Sequence, residues 1–145
     1  MFKKILVATD GSELSEKAVE SAIGLARQHG AELVAFTVAR RQPRSYMDGA
    51  MNNAAADDVE RQRLEKAQAL VDAVGERASA SGVPCQALVA HSSQVADSII
   101  VAAEKQHSEL IVMASHGRKG VGRLLLGSET QHVLTHSALP VLVLR

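Results

Sequence analysis

From Ser115 to Ser128 the chain reads Ser-His-Gly-Arg-Lys-Gly-Val-Gly-Arg-Leu-Leu-Leu-Gly-Ser. Four glycines and three cations fall in this one stretch. Glycine has no Cβ, so its amide can come close to an anion. Gly127-Ser128 immediately precedes a predicted helix. The first amides of a helix lack partners and carry the positive end of its dipole. Ser128 adds a hydroxyl and is a good capping residue. Phosphate binding is the chemistry this pattern suits; a glycine-rich surface loop with solvated charges fits the composition equally. The stretch is not a standard P-loop, because Ser128 stands where Gly122 and Gly127 would require a lysine. Nor is it a dinucleotide fingerprint, since Gly120-Val121-Gly122 is followed by Leu125 where a glycine is needed.

Asp10 follows the first predicted strand. Its carboxylate suits ribose hydroxyls or an adenine amino group, and it equally suits capping the first helix with Ser12. His116, inside the glycine stretch, can donate to an anion in either protonation state. His132 and His136 are four apart on one helix, a spacing that can face one metal ion. No third ligand is placed for zinc, so both read as solvated helix residues. His29, His91 and His107 read as surface or helix-end residues. No nucleophile–base pair of a hydrolase stands out, and Ser12 does not complete a nucleophile elbow.

These residues need elements to hold them. Short, uninterrupted apolar runs suit strands buried on both faces of a parallel sheet. Five are present: Ile5 to Ala8, Glu32 to Val38, Gln86 to Ala90, Leu110 to Ala114, and Val141 to Leu144. Helices are predicted from about Leu14 to His29, Ala55 to Ala80, Val95 to His107 and Glu129 to His136. The first should turn Leu14, Ala18, Ala22, Leu25 and Ala26 inward. The second should bury Leu64, Ala67, Val71, Val74 and Ala78, and the third Ile99, Ala102 and Ala103. Strands alternating with helices at this spacing give a parallel sheet with helices on both faces. Such sheets bind ligands outside the strands' carboxyl ends, where the winding reverses. Strand one should lie beside strand four there, with Asp10 across the crevice from Gly117. Small residues close both strands, in Ala8-Thr9-Asp10-Gly11 and Ala114-Ser115-His116-Gly117. The long connection from Ala39 to Ala54 carries Arg40, Arg41, Arg44, Tyr46, Met47 and Met51, and reads as a loop or as a lid over a ligand.

Composition narrows the function. The 145 residues fit one domain, and 46% apolar residues allow a substantial core. Sixteen basic side chains balance sixteen acidic ones, so nothing draws the whole protein to nucleic acid or an anionic membrane. Aromatics at 2% leave no platform for stacking bases. The single cysteine, Cys85, cannot form an intrachain disulfide and suits a reducing cytosol. The apolar run behind Lys3-Lys4 stops at Ala8, too soon for a signal peptide, so a cytoplasmic protein is expected.

Three passages together resemble the universal stress protein family. They are Lys4-Ile5-Leu6-Val7-Ala8-Thr9-Asp10-Gly11-Ser12, Ala114-Ser115-His116-Gly117-Arg118, and Leu125-Leu126-Gly127-Ser128 with the ending Pro140-Val141-Leu142-Val143. The resemblance spans the whole chain, as a single domain. It extends to the ATP-binding subgroup, whose pattern is Gly-x2-Gly-x9-Gly-[Ser/Thr]. Gly117, Gly127 and Ser128 match that pattern, and Ala114 takes the place of the first glycine. The resemblance implies a five-stranded parallel sheet in order 3-2-1-4-5, of the adenine nucleotide alpha hydrolase-like kind. Nucleotide would lie between strands one and four. Asp10 and the backbone of Ala8 and Thr9 would meet ribose and adenine, and the Val38 backbone would meet adenine. Ala114, His116, Gly117 and Arg118 would line the phosphate side. Gly127, Ser128 and the amides of Glu129 and Thr130 would hold phosphates. Ser128 would stand nearest a Mg²⁺ or Mn²⁺ ion carried with ATP, ADP or AMP. The last strand, Val141 to Leu144, would pair across a two-fold axis in a homodimer.

Three functions follow as expectations. The first is an ATP-binding regulatory homodimer of the stress response, with at most slow hydrolysis, since no P-loop lysine is present. The second is a nucleotide-free dimeric interaction module of the same fold. The third is a small metabolic enzyme using Asp10 and His116 as an acid–base pair.

Overall fold

A computed structural model describes residues 1–43, 53–117 and 126–145. The elements run β1 (Lys4–Ala8), α1 (Glu13–His29), β2 (Glu32–Arg40), α2 (Asn53–Ala80), β3 (Cys85–Ser92), α3 (Val95–Lys105), β4 (Leu110–Ala114), α4 (Ser128–His136) and β5 (Val141–Leu144). The five strands pair in parallel in the order β3-β2-β1-β4-β5. This is the expected strand order.

The alternation of a strand's side chains produces two cores. Ile5, Val7, Leu33, Ala35, Leu110 and Val112 point to one face, where they meet Ala18, Val19, Ala22, Ala26, Val71, Val74 and Ala78 of α1 and α2. Leu6, Val34, Phe36, Ile111 and Met113 point to the other, against Ala96, Ile99, Ala103 and Val133 of α3 and α4. Both faces are covered, which explains why the strands are apolar runs rather than alternating ones. The helices change face between β3 and β4. That reversal leaves β1 and β4 as neighbours with connections leaving in opposite directions, and a crevice opens at their carboxyl ends.

Two expected faces shift. In α1 the buried stripe is Ser15, Ala18, Val19, Ala22, Ile23 and Ala26, with Leu14 and Leu25 on its flanks. In α2, Ala67, Val71, Val74 and Ala78 are buried as predicted, but Leu64 is exposed. The cause is length. A helix of 28 residues spans about 42 Å, whereas the nine-residue β2 it packs on spans about 30 Å, so about the first eight residues of α2 pass beyond the sheet. Leu64 lies near the sheet's margin, next to Arg63, which reaches the Arg40 carbonyl at the end of β2. The Ala39–Ala54 connection is shorter than expected, because β2 runs to Arg40 and α2 starts at Asn53. Arg44, Tyr46, Met47 and Met51 lie outside the described residues. Helix α3 ends at Lys105, and His107 turns the chain with φ of 54°.

Candidate functional site

The crevice begins where β1 stops. Ala8 pairs with Phe36, and the Thr9 amide donates to the Phe36 carbonyl (3.0 Å). The Thr9 carbonyl, which the next ladder bond would use, accepts from the Thr37 hydroxyl (2.6 Å). Strand β2 continues to Arg40, paired only with β3. In a parallel strand the main-chain groups of alternate residues face the same neighbour. Phe36 faces β1, so the Val38 amide and carbonyl face the same way, into the space that β1 no longer fills. The sequence placed Val38 here; it did not single out Thr37, whose hydroxyl in a buried apolar strand was the available signal.

Asp10 sits at the crevice floor. Its Oδ1 accepts from the Ser12 amide (2.9 Å), which fixes the carboxylate over the first turn of α1. Ser12 is the helix cap, accepting from the Ser15 amide (3.3 Å). Ser15 returns its hydroxyl to the Ser12 carbonyl (2.9 Å) and lies 3.0 Å from the Thr9 hydroxyl. Across the crevice, a Cβ on Gly117 would overlap Asp10 Oδ2. The predicted juxtaposition of Asp10 and Gly117 is therefore direct contact, and a side chain at 117 would push the Asp10 carboxylate aside, with no special φ involved.

The far wall is β4 and the start of α4. Ala114 ends β4 buried, with an ordinary negative φ, so alanine strains nothing there. Its carbonyl accepts from the buried Thr130 hydroxyl (2.9 Å). The Gly127 amide donates to the Ser115 carbonyl (2.7 Å), and a Cβ at Gly127 would lie 3.2 Å from that same oxygen. His116 holds Nδ1 3.2 Å from the Ser115 hydroxyl, in a contact beside the crevice rather than across it. Gly127, not Ser128, is the N-cap of α4, and it offers no side-chain bond to the helix. Ser128 is the first helical residue and its side chain is exposed, because the chain enters the helix one residue earlier than expected. Arg118 lies outside the described residues, as do Gly120, Gly122, Leu124 and Leu125.

Two histidine readings change. His91 is half-buried and holds Nε2 2.7 Å from Glu60 of α2, because the α2 overhang reaches across the end of β3. His132 faces Asp97 of α3 (2.7 Å) rather than open solvent, and stacks on His136 with ring centroids 4.1 Å apart. The His136 Nδ1 lies 2.9 Å from the His132 carbonyl. Among the described residues, no three His, Cys, Asp or Glu side chains group to hold a metal ion. A separate cavity of about 380 Å³ opens between α3 and the β2–β3 edge. Phe36, Leu88, Ala90 and Val101 line it, and it contains none of the candidate site residues.

The sequence profile of the Universal stress protein family matches residues 1–145. The chain belongs to the universal stress protein family. A universal stress protein of Thermus aquaticus is 32% identical over 145 residues, covering all of both chains. Universal stress protein YxiE of Bacillus subtilis is 31% identical, again covering all of both chains. Among solved structures, universal stress protein UspA of Lactobacillus plantarum superposes with a TM-score of 0.86 at 21% identity, covering 99% of this chain and 97% of that one. A universal stress protein in complex with cAMP gives a TM-score of 0.73 at 23% identity over 99% of this chain and 97% of that one. One from Archaeoglobus fulgidus in complex with dAMP gives 0.64 at 16% identity over 99% of this chain and 98% of that one. The fold of these proteins is the fold of this chain.

Proposed function

We propose that this universal stress protein binds an adenine nucleotide, ATP foremost, in the crevice between β1 and β4. The observation that carries this reading is the start of α4. Its cap contributes no side-chain bond, yet the turn is tied down from β4 by Gly127 and Thr130. It is an anion-accepting end held rigid and left open. The amides of Ser128, Glu129 and Thr130 take the phosphates, with Gly127 giving them room. Asp10 takes the ribose hydroxyls beside Ala8 and Thr9, and the Val38 main chain takes the adenine edge. His116 and Gly117 border the phosphates, and the Ser128 hydroxyl would be the side chain to meet a Mg²⁺ or Mn²⁺ carried with them. Complexes of related folds with cAMP and dAMP support an adenine ligand.

Any ATP hydrolysis is slow on this reading, because Ser128 replaces the lysine that would stabilise a transferring phosphoryl group. The protein acts as a regulatory homodimer of the stress response, paired through β5, whose Leu142 is exposed at the sheet edge. We place it in the cytoplasm, with no nucleic-acid or membrane partner; no described helix is long and apolar enough to cross a membrane.

Mass spectrometry of small molecules released from freshly purified, denatured protein tests this, with thermal melting in ATP and Mg²⁺. The expected result is co-purified adenine nucleotide, or a stabilisation of about 2.7 kcal/mol at a hundredfold excess over Kd. An empty protein whose melting curve does not move would overturn nucleotide binding and leave a nucleotide-free dimeric module.

A further inference from the structure

The Glu129 side chain is turned away from the crevice, and both of its oxygens are engaged. Oε2 accepts from the Ala96 amide at the start of α3 (2.9 Å). Oε1 meets the Arg40 guanidinium at the end of β2 (3.2 Å). The N-cap of α3, Gln94, makes no side-chain bond to its own helix, so a residue of α4 supplies the acceptor. The positive ends of two helices thus converge on one carboxylate. Arg40 is itself steadied, since its carbonyl accepts from Arg63 of α2 (3.2 Å).

The first turn of α4 is tied to β4 by Gly127 and Thr130. Its tie to β2 and the start of α3 is Glu129. His132 meets Asp97 of α3 one turn further along α4, so the carboxylate is the tie that acts on the first turn itself. We propose that Glu129 is a positioning residue: its carboxylate clamps the first turn of α4 to β2 and α3, and so sets its amides for phosphate. This rests on the nucleotide reading above. The role is not to contact the ligand, because a carboxylate beside a phosphate repels it. Arg40 offsets that charge.

The test compares ATP with adenosine, which lacks phosphate, in the wild type, Glu129→Ala and Glu129→Gln. Glutamine keeps an oxygen for the Ala96 amide and removes the charge. Affinities come from calorimetric titration, and amide hydrogen exchange of the ligand-free proteins reports the turn itself. Glu129→Ala should weaken ATP about tenfold, leave adenosine within about twofold, and speed exchange at 128–130 and 96. Glu129→Gln should hold ATP within about threefold of wild type, with exchange close to wild type. Equal losses for ATP and adenosine in Glu129→Ala, or an ATP loss in Glu129→Gln as large as in Glu129→Ala, would show a merely structural part and sink the proposal. Tighter ATP binding by both variants would mean that charge, not position, is what Glu129 contributes. A wild type that binds neither ligand would instead overturn the nucleotide reading, taking this role with it.

Discussion

Two helices begin at the crevice, and they begin differently. Helix α1 satisfies itself: Ser12 accepts from the Ser15 amide, Ser15 answers with its hydroxyl, and Asp10 takes the Ser12 amide. Helix α4 has a glycine cap with no side-chain bond, and its first acidic residue points to another helix. A side-chain cap takes up one of the end amides that a ligand would otherwise use. An uncapped end, if solvent alone served it, would fray. At α4 the ends of β4, β2 and α3 supply the order that a cap would otherwise give. Stabilising groups were kept off the amides and placed around them.

Substitution at Gly127 breaks this contrast most severely. Its φ of −61° suits any residue, but a Cβ would press on the Ser115 carbonyl at 3.2 Å and the His116 Cα at 3.3 Å. Both are main-chain atoms that cannot swing aside. Gly127→Ala should destabilise the fold by about 1–3 kcal/mol, read from urea unfolding, and abolish the ATP-dependent melting shift. Gly117→Ala is next. There the obstacle is the tip of Asp10, a side chain that can rotate away. Nucleotide affinity should fall about tenfold while the melting temperature barely moves, because the loss is one of placement. A large drop in stability would show Gly117 to be structural. Ser12→Ala sharpens the contrast from the other side. Losing the cap of α1 should lower stability by about 1 kcal/mol in the same unfolding assay. The ATP-to-adenosine preference should not change; if it does, α1 is part of the phosphate site.

The fold was legible because its signals are local. Apolar runs, a capping serine, Gly30 with φ of 63° after α1, and a helix-length gap between strands are each read within one segment. Asp10 opposite Gly117 was legible through topology, since the winding reversal brings the ends of β1 and β4 together. The stripe of α2 failed at Leu64 because a helix's periodicity says nothing of where the sheet beneath it ends. The Arg40–Glu129 and His91–Glu60 pairs were illegible because each partner alone reads as an ordinary surface charge. Their sequence separations of 89 and 31 residues leave no periodic trace. Cys85 entered the sequence reading as a lone thiol without a disulfide partner. It is half-buried, and burial pushes its thiol up from the usual range, consistent with an unreactive packing role.

The step between β1 and β2 has an evolutionary consequence. The crevice exists because one strand is short beside a longer neighbour, and in the proposed function the run of β2 beyond β1 is what would meet the nucleotide. Two or three more residues of β1 in strand conformation would satisfy those main-chain groups with ordinary pairing and fill the space. Capacity to bind would vanish with every contacting side chain still in place. In a lineage built on this sheet, binding and non-binding members need differ only by a small insertion or deletion where β1 gives way to α1.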